Sequence, residues 1–215
     1  MGVDWPVNLR SGDMLLRPLH RRDSRAWYDL RRDNIDWLRE WEATLPAPDP
    51  TVPATFRSMI RHQARDARAG RAVALGIEAD GHLVGQITLG GIAWGSLRSA
   101  YIGYWISGRW AGRGIMPTAV ALLTDYSFDR LRLHRIEINI RPENHSSRRV
   151  VAKLGFTYEG MRRNYLHING QWRDHYSYVM FAEDRPAGGL LRDVLDHGWR
   201  DISPQRPNSA PDSGV

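Results

Sequence analysis

The sequence predicts a mixed α/β domain, one sheet with helices against both faces. Three observations carry that expectation. Strand and helix signals follow in the order β, α, α, α, a meander of strands, then β–loop–α–β–α–β–β. Two dipeptides, Asp80-Gly81 and Asn169-Gly170, stand between apolar runs, where tight hairpin turns favour them. "HRIEINI" (134–140) alternates, with Ile136, Ile138 and Ile140 on one face and Glu137 and Asn139 on the other.

Taken in order, "MLLRPL" (14–19) reads as a short strand. "RRDSRAWYDLRRDN" and "IDWLREWEATLP" read as helices, with Asp23 or Ser24 as the first cap. A proline-rich connection (46–53) leads to a third helix over about 52–69. There Phe56, Met59, Ile60 and Gln63 share a face, and Gly70 ends the helix. "AVALGIEADGHLVGQITLG" makes the first hairpin, and "SAYIGYWIS" (99–107) a further strand with Gly103 as a bulge position. A helix over about 115–129 follows, with Ile115, Ala119, Leu122, Leu123 and Tyr126 at helical spacing. A short helix over about 145–154 stops at Gly155, and strands over about 156–167 and 171–181 close the sheet. Residues 185–215 are expected to hold a short helix after Gly188-Gly189 and a disordered Pro/Ser tail from about 203.

Composition narrows the class. The 215 residues are 42% apolar and 25% charged, the balance of a globular domain able to bury a core. Without cysteine, disulfide and thiolate chemistry are excluded, and a reducing compartment is the expectation. No apolar run reaches the length of about 18 residues that a membrane span needs, and Asp4 interrupts Met1–Arg10, so a cytoplasmic protein is expected. The net charge is +6, yet Lys153 is the single lysine among 30 basic residues. Arginine codons in GC-rich coding sequence produce such a ratio. The arginines are also interleaved with Asp and Glu, so solvated surface charge and a patch for an acidic partner both stand. The eight histidines show no metal-ligand spacing, and no metal is expected.

The stretch "YWISGRWAGRGIMPTAVALL" (104–123) sets Arg109, Gly112 and Gly114 between a strand and a helix. A helix N-terminus offers unpaired N–H groups and positive potential, and glycines let an anion come close. The P-loop is excluded because Ile115 follows Gly114, and the dinucleotide fingerprint because 112–117 ends in proline.

Arg-x-x-Gly-x-Gly after a strand resembles the pyrophosphate loop of the GCN5-related N-acetyltransferase (GNAT) superfamily. "RPENHSSRRVVAKLGFTYEG" (141–160) resembles its second signature, Asn-x-x-Ser before a helix ending Leu-Gly-Phe. "AYIGYWIS", "YLHINGQWRDHYSYVM" and "WLREW" are similar to segments of the RimJ/RimL-type ribosomal-protein acetyltransferases, the RimJ branch above all. The resemblance covers about 12–184 and implies a GNAT domain over 1–184. Its sheet would be mostly antiparallel and seven-stranded, splayed between the fourth and fifth strands and flanked by helices on both faces.

The resemblance implies acetyl transfer from acetyl-CoA to a primary amine, with coenzyme A as product. The acceptor it implies is the N-terminal α-amine of a ribosomal protein, met as a monomer or homodimer near the ribosome or its rRNA. Acetylation of a small amine, and a non-catalytic rRNA-binding module, are the alternatives. Trp105, Ile106 and Ser107 would pair with the pantetheine arm, and Arg109, Trp110, Ala111, Gly112, Arg113, Gly114 and Ile115 would hold the pyrophosphate. Asn144 would contact the arm, cap its helix, or both. The superfamily's usual tyrosine acid is replaced by Val151, which leaves Ser147 as the substitute beside the cofactor sulfur. Glu159 and then Glu137 are the candidate bases. Trp37, Trp41 and Tyr104 are candidates to line the acceptor groove.

Overall fold

Both hairpin dipeptides turn as their residue types require. Asp80 and Gly81 have φ of 49° and 75°, and Asn169 and Gly170 have 46° and 81°, the left-handed pairs of a tight turn. They join β3 (Val73–Ala79) to β4 (His82–Ala93), and β7 (Thr157–Ile168) to β8 (Gln171–Phe181). The computed structural model, which describes residues 2–197, adds β1 (Leu9–Ser11), β2 (Met14–Arg17), β5 (Ser99–Ile106) and β6 (Arg135–Ile140). These make one sheet in the order β1-β2-β3-β4-β5-β6-β8-β7. All neighbours are antiparallel except β5 and β6. The sheet thus has eight strands rather than seven. The extra one, β1, has three residues and is too short to show a period.

Helices cover both faces. Trp27 of α1 (Ser24–Arg32) and Phe56 of α3 (Phe56–Arg68) bury against Leu19, Leu83 and Trp105 on one side. On the other, α4 (Ile115–Asp129) lies on Leu75, Ile87, Leu89, Ile102, Ile136 and Ile138. It is apolar on all sides because α5 (His145–Lys153), α6 (Leu190–His197) and β1 cover what the sheet does not. Leu190 and Val194 bury α6 against this core, and the Asp125 carboxylate accepts the Leu190 and Leu191 N–H groups at 2.9 and 3.0 Å. The tail from 203 lies outside the described residues.

Local expectations were corrected in four places. Asp23 stands at the N-cap position of α1 but makes no side-chain cap bond to it; its carboxylate holds Arg17 at 2.7 Å and the His20 N–H at 2.7 Å inside the protein. The third helix starts at Phe56, capped by Thr55, whose hydroxyl accepts the Ser58 N–H. The β4–β5 bulge falls between Gly90 and Ala93, not at Gly103, which pairs regularly with Thr88. A Cβ on Gly90 would stand 2.6 Å from the Tyr101 ring, so the glycines there make room for that side chain. Finally, α2 (Ile35–Arg39) ends before Trp41, so the two tryptophans do not share a helix.

Candidate active site

Strands β5 and β6 run parallel but pair only from Ser99–Tyr101 to Arg135–Glu137. Beyond that they part, and β6 stays with β8. The Ser107 N–H bonds to the Val84 carbonyl on the β4 side. By strand alternation the Tyr104 and Ile106 peptide groups therefore face the gap. The gap is a cleft of about 460 Å³ that crosses the sheet. Tyr104, Asn144 and Ser147 line it toward α4 and α5, while Trp41, Gly103, Trp105, Asn139 and His175 line it toward the α1 face. A Cβ on Gly103 would meet nothing within 4 Å, so its missing side chain leaves open space in the wall.

The glycine loop stands at the end of the strand that forms one wall. Gly112 and Gly114 both have φ of 79°, which a side chain would resist. None of the N–H groups of Gly112–Met116 has a hydrogen-bond partner among the described residues. The first turn of α4 carries no acid, Arg109 is exposed, and the Arg113 guanidinium lies 4.9 Å over the Trp110 ring. Neither arginine pairs with a carboxylate among the described residues. Geometry and charge together suit this loop to cradle an anion.

Where the cleft meets α5, the Tyr104 hydroxyl is buried without a hydrogen-bond partner. Burial pushes its pKa above the ordinary phenol range, and the neighbouring Ser147 offsets only part of that effect. Asn144 caps α5, accepting the Ser147 N–H at 3.0 Å, and it lines the cleft as well. Val151 is fully buried in the core and takes no part in the site.

The two glutamates are held elsewhere. Glu137 is buried beneath Arg135 and Arg162 at 2.7 and 2.5 Å, and accepts the Asn139 amide at 2.6 Å. Exposed Glu159 pairs with the same Arg135 at 2.5 Å. Neither lines the cleft; Glu137 reaches it only by fixing Asn139, whose carbonyl accepts from Ser177. The tryptophans divide likewise. Trp41 lines the cleft under the Arg141 guanidinium, whereas Trp37 donates its indole N–H to the Ile106 carbonyl and packs on Gly108.

Two features were not legible in the sequence. Residues 42–44 are stitched to the β7–β8 hairpin: the Thr44 N–H bonds to the His167 carbonyl, the Asn169 N–H to the Glu42 carbonyl, and the Gly170 N–H to the Thr44 hydroxyl. This closes the outer wall of the cleft. Buried His175 also lines it, a residue with no spacing partner to draw notice. Its one lining carboxylate, Glu42, is ion-paired with Arg31, and the other lining guanidinium, Arg141, is paired with Glu143 outside the cleft.

A splayed sheet with an anion cradle at the end of one parting strand defines an acyl-transfer enzyme built around a phosphorylated thioester. The chain belongs to the acetyltransferase (GNAT) domain family, which matches residues 13–157. It is 37% identical to Mycobacterium smegmatis RimJ, solved in complex with CoA-disulfide, with a TM-score of 0.83 over 93% of this chain and 98% of that one. It is 34% identical to a probable N-acetyltransferase, YjcK, of Bacillus subtilis, over 82% of this chain and 98% of that protein. To the [ribosomal protein uS5]-alanine N-acetyltransferase of Escherichia coli it is 29% identical, over 85% and 94%. The protein is an N-acetyltransferase that uses acetyl-CoA. Its own residues fit that donor: free N–H groups and two cations for the pyrophosphate, an open β5 edge, and an orphaned phenol inside the cleft. Among the described residues no helix is long and apolar enough to cross a membrane.

Proposed function

We propose that this enzyme acetylates the N-terminal α-amine of a ribosomal protein in the cytoplasm. The observation that carries the reading is the cleft itself. It passes through the sheet and opens on the α1 face between aromatic and apolar walls, and its only lining carboxylate is already paired. A polycation would find no counter-charge there, whereas an uncharged peptide backbone ending in one amine fits. The [ribosomal protein uS5]-alanine N-acetyltransferase among its relatives supports the same acceptor.

Acetyl-CoA supplies an acetyl thioester. The cradle at Arg109–Ile115 anchors the donor, and the gap-facing peptide groups of Tyr104 and Ile106 align its arm. The Ile106 carbonyl already serves Trp37, which fixes that end of the strand. Tyr104, with Ser147 beside it, holds its Oη proton for the leaving sulfur in the role Val151 cannot fill. Glu137 positions Asn139 at the acceptor side. Trp41 and the hairpin wall exclude water around the amine.

The test offers peptides with free and with blocked N-termini beside spermidine, following thiol release and locating the acetyl group by mass spectrometry. Turnover confined to free α-amines is expected. Turnover on spermidine alone would overturn the peptide reading and leave the family assignment intact.

A further inference from the structure

We infer that His175 is the general base of this enzyme, accepting a proton from the substrate ammonium at Nε2. This rests on the cleft being the acceptor channel of an N-acetyltransferase. Three observations on the imidazole converge. First, its Nδ1 lies 3.0 Å from the Arg173 carbonyl, and a carbonyl only accepts, so Nδ1 carries the proton and Nε2 the lone pair. Second, the imidazole's one hydrogen bond among the described residues is through Nδ1, while the residue is only 3% exposed and lines the cleft. An unpartnered acceptor on a residue that lines a substrate channel can take a donor that arrives with the substrate. Third, the ring is held in place: Tyr165 meets it edge-on at 5.7 Å, and Tyr165 Oη lies 3.5 Å from Asn139 on the same wall. The carboxylates that might compete are spent in arginine pairs outside the cleft or, for Glu42, across it.

The surroundings keep the imidazole neutral and ready. Burial lowers its pKa first, and Arg141 from the end of β6 lowers it further, against the Arg173 backbone bond, Glu143 and Asp174. Arg162 is its partner across β7, and Arg31 and Glu42 on the opposite wall neutralise each other. The protons balance. An α-ammonium must lose two in becoming an amide. His175 takes the first and returns it to solvent. The freed lone pair forms the C–N bond as the C–S bond breaks, and the second proton leaves with the sulfur, through Tyr104.

The experiment measures kcat against pH at saturating peptide for the wild type, His175→Asn and His175→Ala. Asn keeps a donor for the Arg173 carbonyl and removes Nε2. Wild type is expected to lose rate in acid with a midpoint below the ordinary imidazole value of about 6.5. His175→Asn should fall by about 10²-fold or more, with acetyl-CoA affinity unchanged and its acidic limb moved to the amine's own range of about 7.7–8.0. Added imidazole should restore part of the His175→Ala rate. A His175→Asn rate within about threefold of wild type on the same pH limb would overturn the assignment. So would a wild-type limb already at the amine's range, whether or not the variants fold. A wild type that acetylates no amine would instead count against the reading of the cleft.

Discussion

At the scale of single residues, Tyr104 and His175 face one cleft, and burial favours the neutral form of each. It holds the phenol protonated and the imidazole neutral. Each has a cost that can be measured. The Tyr104 hydroxyl is buried unpaired, and such a group costs about 1–3 kcal/mol. Tyr104→Phe is therefore expected to unfold at equal or higher denaturant while kcat falls by about 10²-fold, a trade of stability for function. A drop in both would mean the phenol is structural. For His175 the folded pKa lies below the unfolded one, so its contribution is full above about pH 6.5 and is lost as pH falls from there through the folded value. Denaturant midpoints of wild type should drop across that window, and those of His175→Asn should drop less.

At the scale of elements, the strands and helices were mostly legible because each announced itself locally. Asp-Gly and Asn-Gly turned, the isoleucines of 134–140 faced one core, and α4 spans the anticipated 115–129. What escaped was pairing between distant segments. Nothing in "WEATLP" signals that residues 42–44 will bond to a hairpin more than a hundred residues later. Reading Trp37 and Trp41 as one helical face followed from spacing alone, and the chain leaves the helix between them. The stitched wall makes its own prediction. Thr44→Val deletes the hydroxyl that accepts from Gly170 and meets His167 Nδ1 at 2.9 Å. The KM for peptide should rise by about tenfold, with the KM for acetyl-CoA unchanged. The other end of the molecule offers a control. Asp125→Ala removes the acceptor for two α6 N–H groups and should cost about 1–2 kcal/mol, read as faster hydrogen exchange in α6 without loss of turnover.

Across the whole molecule, the excess of arginine sorts into spent and unspent charge. Arg17, Arg31, Arg135, Arg141, Arg162 and Arg185 are held in ion pairs. Arg109 and Arg113, beside the glycine loop, pair with no carboxylate among the described residues. That loop was legible as a strand-to-helix turn because strand, glycines and helix are contiguous in the chain. The acceptor side was harder to read, because β5, β6, β8 and residues 41–43 each contribute a wall and meet only after folding. Glu159 and Glu137 drew attention by chemistry and neighbouring motif, and the fold directs both into one arginine cluster. On this reading, cradle and cleft work as one acetyl-transfer machine. The most direct test compares thiol release on a free-α-amine peptide by wild type and by the double Gly112→Ala, Gly114→Ala variant. Each alanine would have to adopt the left-handed backbone at about 1–2 kcal/mol, so acetyl-CoA affinity should weaken by tenfold or more, about 1.4 kcal/mol per tenfold, and turnover at low donor concentration should fall with it. A folded variant that binds acetyl-CoA and acetylates the peptide as the wild type does would contradict the claim.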